Sequence, residues 1–318
     1  MRQCDTANTI AYPQLPPGGA AVEAPDFPEA VRAFALILAE DDRAGYFDLA
    51  AGAPAFRICC RREGGLGGEA FSLRPRAWGV EVSAAAWRGA FYALLEILEQ
   101  MRPDGSLALS PCESAPDFPL RSISAEILLD AESYNGDYAK YLVRRLAKGR
   151  INAFHIGFME HLLSFRHIEG LPDGMRRQTD EGQLRNIREL IDYAGIFGIS
   201  CYVHYRVFSL PARILELYPE IAGDGTAFCP SSPKLWEIFE QALRELPALL
   251  PRCKGLVLLL SEGTGNFFEC GCSRCAGAHE SEYVRRAQAA AARALGPAYE
   301  VVVRTYLSGW RNIYEEPW

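Results

Sequence analysis

Between Gly255 and Cys275 the chain reads GLVLLLSEGTGNFFECGCSRC, an apolar run that arrives at Glu262 and is followed by Cys270, Cys272 and Cys275. A carboxylate terminating Leu256–Leu260 is expensive to bury unpaired. Glu262 therefore reads as a working group. Cys229 lies upstream of the cluster, so the thiols that could converge are Cys229, Cys270, Cys272 and Cys275. Four thiolates suit a closed, structural Zn²⁺ site, with His279, four residues past Cys275, as a substitute ligand. The spacing is not a pair of C-x2-C motifs, so disulfide-bonded or redox thiols and plain unligated cysteines stand as alternatives. Cys59, Cys60, Cys201 and Cys253 sit in or beside apolar stretches and read as small core hydrophobes.

Other residues fit for chemistry recur at the ends of apolar runs. In chain order they are Glu126 and Asp130, His155 and Glu160, then His204, Tyr205 and Arg206, then Glu262, then Arg304 and Tyr306. Carboxylate, imidazole, phenol and guanidinium together suit sugar chemistry, because hydroxyls need both donors and acceptors and glycosidic cleavage needs a placed acid. Each also has a structural reading: Glu126 paired with an arginine, His155 hydrogen-bonded in a core, His204 and Arg206 as a polar layer. Tyr205, Phe208, Phe267 and Phe268 are equally suited to stacking on sugar or to packing.

The elements that must position these groups follow from periodicity. Residues 1–25 are rich in Pro, Gly and Ala and read as an irregular lead-in. Over 26–101, a helix (Phe27–Glu40), strands (Ala55–Glu63 and Glu69–Ala84) and a second helix with Trp87, Phe91, Leu94, Leu95 and Leu98 on one face predict a small α/β sandwich. Residues 102–120 read as a Pro/Ser-rich linker. From 121 to 318, strands at Ser122–Asp130, Asn152–Glu160, Ile199–Val207, Gly255–Glu262 and Tyr299–Leu307 alternate with amphipathic helices. That alternation predicts a parallel sheet covered by helices. A (β/α) TIM-like barrel is the first choice and an open doubly wound sheet the second. About five of the eight strands of such a barrel are visible. In this architecture loops at the strand C-termini carry the chemistry.

The hydrophobic content of 49% and charged content of 23% are those of a soluble globular chain of 318 residues. A net charge of −7 argues against nucleic acid or an anionic membrane as the main partner. The N-terminus lacks a basic-then-apolar leader, so a cytoplasmic location is expected. Oligomeric state leaves no mark that can be read.

The stretch EAFSLRPRAWGVEVSAAAWRGAFYALLEILEQM resembles the small α/β domain that precedes the barrel in family-20 β-hexosaminidases and family-67 α-glucuronidases. DFPLRSISAEI is similar to their first barrel strand, in which an arginine precedes a carboxylate, here Arg121 and Glu126. NAFHIGFME is similar to the second hexosaminidase strand, with Asn152, His155 and Glu160 at the matching positions, and LYPEIAG resembles the segment after the third. The resemblance implies a glycosidase with Glu262 as acid and with Arg121, Glu126, His155, Glu160, His204, Tyr205 and Arg206 around the sugar. It implies no cofactor for catalysis. Hexosaminidases end the fourth strand in Asp-Glu, whereas this chain has Ser261-Glu262. Pro-Gly-His after the third strand is also absent, and Gly157 stands where a second histidine is usual. The α-glucuronidases carry Ser-Glu there, which LLLSEG matches better, and their bases come from later strands. FCPSSPKLWE (Phe228–Glu237) and the cysteine cluster resemble an insert of some hexosaminidase-like bacterial barrels. The expectation is hydrolysis of a hexosaminide- or glucuronide-type bond; a non-catalytic carbohydrate-binding barrel or an inactive truncated homologue is the alternative.

Overall fold

The structure, a computed structural model, describes residues 2–12, 14–49, 56–124, 134–158, 162–176, 178–211, 213–225, 228–260 and 270–304. These residues divide into two compact units. The first comprises 1–121 with 140–152 and 193–199, and the second holds 122–139, 153–192 and 200–318.

The first unit is built on a seven-stranded sheet. Its strands are β1 (Arg2–Cys4), β3 (Ala20–Glu23), β4 (Phe47–Asp48), β5 (Phe56–Arg62), β6 (Phe71–Arg76), β7 (Gly79–Ala84) and β9 (Cys112–Ser114), in the order β1-β9-β6-β7-β5-β3-β4. A separate ribbon pairs β2 (Ile10–Tyr12) with β8 (Leu107–Leu109). Two helices, α1 (Pro28–Leu38) and α2 (Trp87–Gln100), pack beside each other. Two expectations need correction here. The supposed irregular lead-in contributes β1, β2 and β3, and the supposed linker contributes β8 and β9. These strands are three or four residues long, too short to show an alternation, and Pro and Gly between them mask the rest.

Helix α2 is buried over Gly89–Leu98, on more than one face. One side carries Phe91, whose ring lies 6.2 Å from that of Phe197. Phe197 follows α4 (Glu181–Ile196), and Gly198 ends that helix at φ +70°. There the Ile199 N–H donates to the Ala194 carbonyl, closing the helix end with a left-handed residue.

The second unit contains five parallel strands in strictly sequential order: β10 (Ser122–Ser124), β11 (Ala153–Phe158), β12 (Ser200–Arg206), β13 (Gly255–Leu259) and β14 (Glu300–Arg304). A doubly wound sheet would reverse its strand order at a switch point, and none occurs along this sheet. The sheet curls as half of a barrel, which settles the choice between the two expected architectures. Helices lie in each crossover: α3 (Gly136–Lys148), α4, then α5 (Ile214–Leu217), α6 (Pro233–Leu243) and α7 (Leu246–Leu249), and finally α8 (Glu280–Leu295). Every residue of β13 is buried, as a central parallel strand covered on both faces requires. Helix α6 presents Leu235, Trp236, Ile238, Phe239, Ala242 and Leu243 to the core. Small residues Ala287, Ala290 and Ala291 of α8 are buried, and the two helices pack together. Ser232 precedes α6 with Pro233 at its first turn, and its side chain makes no capping bond. Among the described residues, no helix is long and apolar enough to cross a membrane.

Gly198 is demanded twice, by its positive φ and by space: a Cβ there would stand 2.4 Å from Arg88 Nε and 2.9 Å from the Trp87 ring. Gly198→Ala should therefore cost about 1–3 kcal/mol. Gly195→Ala, within the helix and with nothing near its Cβ, should instead stabilise by up to about 1 kcal/mol. Urea denaturation of the two variants should thus give shifts of opposite sign.

Candidate functional site

Along β12 the side chains alternate, so Tyr202, His204 and Arg206 share one face and Val203 and Tyr205 the other. The parallel register sets His155 of β11 opposite Tyr202. The His155 ring lies 5.5 Å from Tyr202 and 5.5 Å, edge-on, from His204. On the next rungs Leu259 is flanked by Arg206 of β12 and Arg304 of β14. The structure thus brings His155, His204, Arg206 and Arg304 onto one face toward the C-terminal ends of the strands, where parallel α/β folds keep their chemistry.

Electrostatics keeps both imidazoles neutral. Burial pushes His204, which is 3% exposed, down to about 4, and His155 and the Arg304 charge add to the shift. Burial and Arg304 lower His155 as well. Beside them, Gly157 sits in the β11 irregularity, and a Cβ there would meet no atom within 4 Å among the described residues.

Below the histidines, the Tyr202 hydroxyl donates to Glu300 Oε2 at 2.5 Å, and Glu300 pairs with Lys254 at 2.7 Å. Tyr202 crosses β13 to reach β14 because Gly255 lies between them; a Cβ at Gly255 would meet the Glu300 carbonyl at 2.3 Å and the Tyr202 ring at 2.9 Å. A second buried anchor, unforeseen from sequence, is Glu245. Its carboxylate accepts from the Phe165 N–H at 2.8 Å and the Ser164 hydroxyl at 2.7 Å, holding the segment after β11 with Phe165 at φ +62°.

Two expected sugar contacts move elsewhere. Tyr205 points to the helix side, where its ring lies 6.0 Å from Phe239 and its hydroxyl donates to the Ser209 carbonyl. Counting residues along the strand would have revealed this, since Tyr205 and His204 are neighbours and must face apart. Arg121 belongs to a network in the first unit: it donates to Glu69 at 2.8 Å and to the carbonyls of Arg150 and Phe118. Asn152 bonds the same Glu69, the Pro119 carbonyl and the Arg121 N–H. Glu69 is 52 positions from Arg121, too remote for sequence spacing to announce the pair. Glu126, Asp130, Glu160, Glu262, Phe267, Phe268 and Tyr306 lie outside the described residues.

The cysteines converge as expected. The sulfurs of Cys229, Cys270, Cys272 and Cys275 all lie within 4.8 Å of one another, a group able to hold a metal ion. Cys229 comes from the β12–β13 crossover and the other three from the segment before α8. His279 is not among them: its Nδ1 accepts from the Ser281 N–H and caps α8. The remaining expectation also holds, with Cys59, Cys60, Cys201 and Cys253 buried.

No family model matches the chain, and no curated protein matches it significantly in sequence. Solved structures do. The chain is similar to a family-20 exo-β-N-acetylglucosaminidase from Vibrio harveyi, solved with N-acetylglucosamine, at 16% identity and TM-score 0.58, covering 95% of this chain and 53% of that one. It is similar to the Flavobacterium johnsoniae chitobiase at 16% identity and TM-score 0.62, covering 93% and 51% respectively. A β-hexosaminidase from Streptomyces plicatus, solved with N-acetylglucosamine product, matches at 17% identity and TM-score 0.62, with 93% and 62% covered. The chain thus has the fold of the N-terminal sheet domain and part of the barrel of these hydrolases, and spans 51–62% of their length.

The depressed imidazoles predict a pH dependence of stability. A folded pKa below the unfolded value near 6.5 means that the unfolded chain binds more protons. Stability is therefore complete above about pH 6.5 and is lost as pH falls from there toward about 4. His204 alone should remove about 2 kcal/mol between pH 7 and pH 5. Urea denaturation at those two values should show this loss, and His204→Gln should reduce it; an unchanged difference would sink the assignment.

Proposed function

We propose that this chain is a glycoside hydrolase-like protein that binds a glycan at the C-terminal ends of β11–β14 and cleaves a hexosaminide- or glucuronide-type bond. The observation that carries the reading is the line His155, His204, Arg206 and Arg304 on one face of a parallel half-barrel, in a fold similar to that of family-20 hydrolases. Neutral imidazole both donates and accepts, as hydroxyl recognition requires, and the guanidiniums suit a ring-bearing oxygen or a uronate carboxylate. Glu262 stands three residues beyond the end of β13 and is the proposed general acid. Glu126 and Glu160 follow β10 and β11 in the chain and are proposed as further sugar contacts. The reading invokes no metal in the chemical step.

The competing reading is a non-catalytic carbohydrate-binding barrel. It is favoured by one feature, Ser261 where hexosaminidases place the carboxylate that orients the substrate acetamide. The two readings part in a panel of β-hexosaminides and α-glucuronides, each offered with a 4-nitrophenyl and an alkyl leaving group. A hydrolase should turn over one sugar class, and Glu262→Gln should lower the rate by roughly 10²–10⁴-fold on the alkyl glycoside and less on the nitrophenyl one, which needs little protonation. Sugar binding by calorimetry without turnover, in a folded protein, would establish the binding barrel instead.

A further inference from the structure

We propose that Cys229, Cys270, Cys272 and Cys275 form a closed tetrathiolate site for one Zn²⁺, which cross-links the β12–β13 crossover to the β13–β14 crossover. The inference stands on the geometry of the second unit and is independent of the glycan reading.

Distance is the first argument. Zinc–thiolate bonds of about 2.3 Å in a tetrahedron set neighbouring sulfurs about 3.8 Å apart. Cys229 Sγ stands 3.5 Å from Cys272 Sγ and 3.6 Å from Cys275 Sγ, and the four sulfurs fall inside a 4.8 Å span. A disulfide needs about 2.05 Å and joins sulfurs only in pairs, whereas here one sulfur is shared between two near neighbours.

The second argument is the set of donors around the sulfurs. Four thiolates around a divalent cation leave the complex doubly negative, so N–H and O–H groups should aim at sulfur. Such groups line the cluster. The Asp224 N–H donates to Cys270 at 3.4 Å. Ser231 Oγ is 3.2 Å from Cys275 Sγ and 2.9 Å from the Tyr283 hydroxyl, which also bonds Cys275. The Arg274 guanidinium bonds Cys272 while donating to the Glu220 carbonyl.

Local backbone preorganises the ligands. The Cys275 N–H donates to the Cys272 carbonyl in a tight turn, and the Ala276 N–H shares that carbonyl. The Gly271 N–H donates to the Asp224 carbonyl, tying the two segments beside Cys270. On the other side, the Cys229 N–H donates to the Ile221 carbonyl, next to an Ala222–Phe228 bridge. Soft sulfur donors in this number select zinc over calcium or magnesium. With every position filled by sulfur, no site is left for water, so the ion braces structure and carries no chemistry.

The test is metal content and cobalt substitution on the whole chain purified under reducing conditions. Mass spectrometry of the metals should give one zinc per chain that survives dialysis. Replacement by Co²⁺ should give the sulfur-to-cobalt charge-transfer bands and visible spectrum of tetrahedral sulfur ligation. Cys272→Ser, at a partly exposed position, should weaken binding by more than the roughly 10–100-fold that loss of an outer-shell partner costs. Cys60→Ser, buried in the first unit's sheet, should leave stoichiometry and spectrum unchanged. A folded wild-type chain that takes up less than stoichiometric Zn²⁺ and Co²⁺, or that shows a cobalt spectrum without sulfur charge transfer, would overturn the proposal. So would a Cys272→Ser variant that holds the ion as tightly as the wild type.

Discussion

In the parallel ladder joining β11, β12 and β13, His155 stands opposite Tyr202 and His204 opposite Val257, so a single register decides which side chains can meet. Slipping any strand by one residue would turn its whole set to the opposite face. The apolar requirement enforces the register from the helix side, where Val203, Tyr205, Leu256 and Leu258 are buried. Gly255 enforces it from the other side, because only a residue without Cβ lets Tyr202 reach over β13 to Glu300. The polar face is thus a consequence of two packing constraints that contain no chemistry of their own.

The cysteine cluster obeys a different logic. Its ligands sit on crossovers rather than strands, and their positions depend on turns that the ladder does not specify. Those turns are instead held by backbone bonds such as Cys229 to Ile221 and Gly271 to Asp224. A site of this kind needs its own fastening, since loops relax independently of the sheet they leave. Strand-borne histidines and loop-borne thiols can accordingly fail separately: damage to one leaves the physical support of the other in place.

How much of this was legible in sequence follows from the range of each interaction. The parallel strands were legible because burial on both faces writes a near-continuous apolar run, as in Gly255–Leu259, and their helices show a one-sided period, as in α6. The convergence of Cys229 with the later cysteines was legible from topology alone, since adjacent crossovers share an end of the sheet. The short strands β1, β2, β8 and β9 were not, because three residues cannot display an alternation and their stability comes from partners a hundred positions away, as Cys4 opposite Cys112 illustrates. Arg121 was misread for the same reason: its chemistry suits a sugar, but the deciding partner, Glu69, lies in another element. Glu245 escaped notice because a carboxylate on the α6–α7 junction looks like any solvated helix charge until Ser164 and Phe165 fold over it.

The state of the two histidines bears on what each can do at the candidate site. An imidazole held near 4 is almost never protonated at neutral pH, so His204 is a poor proton donor there. Arg304 contributes to that state for both rings, and a cationic neighbour resists any proton arriving during a reaction. A neutral ring still offers one N–H and one lone pair, the pairing that a sugar hydroxyl completes. On the proposed glycan-binding reading, recognition is therefore the work this pair is fitted for, and protonation of a leaving oxygen would fall to a carboxyl.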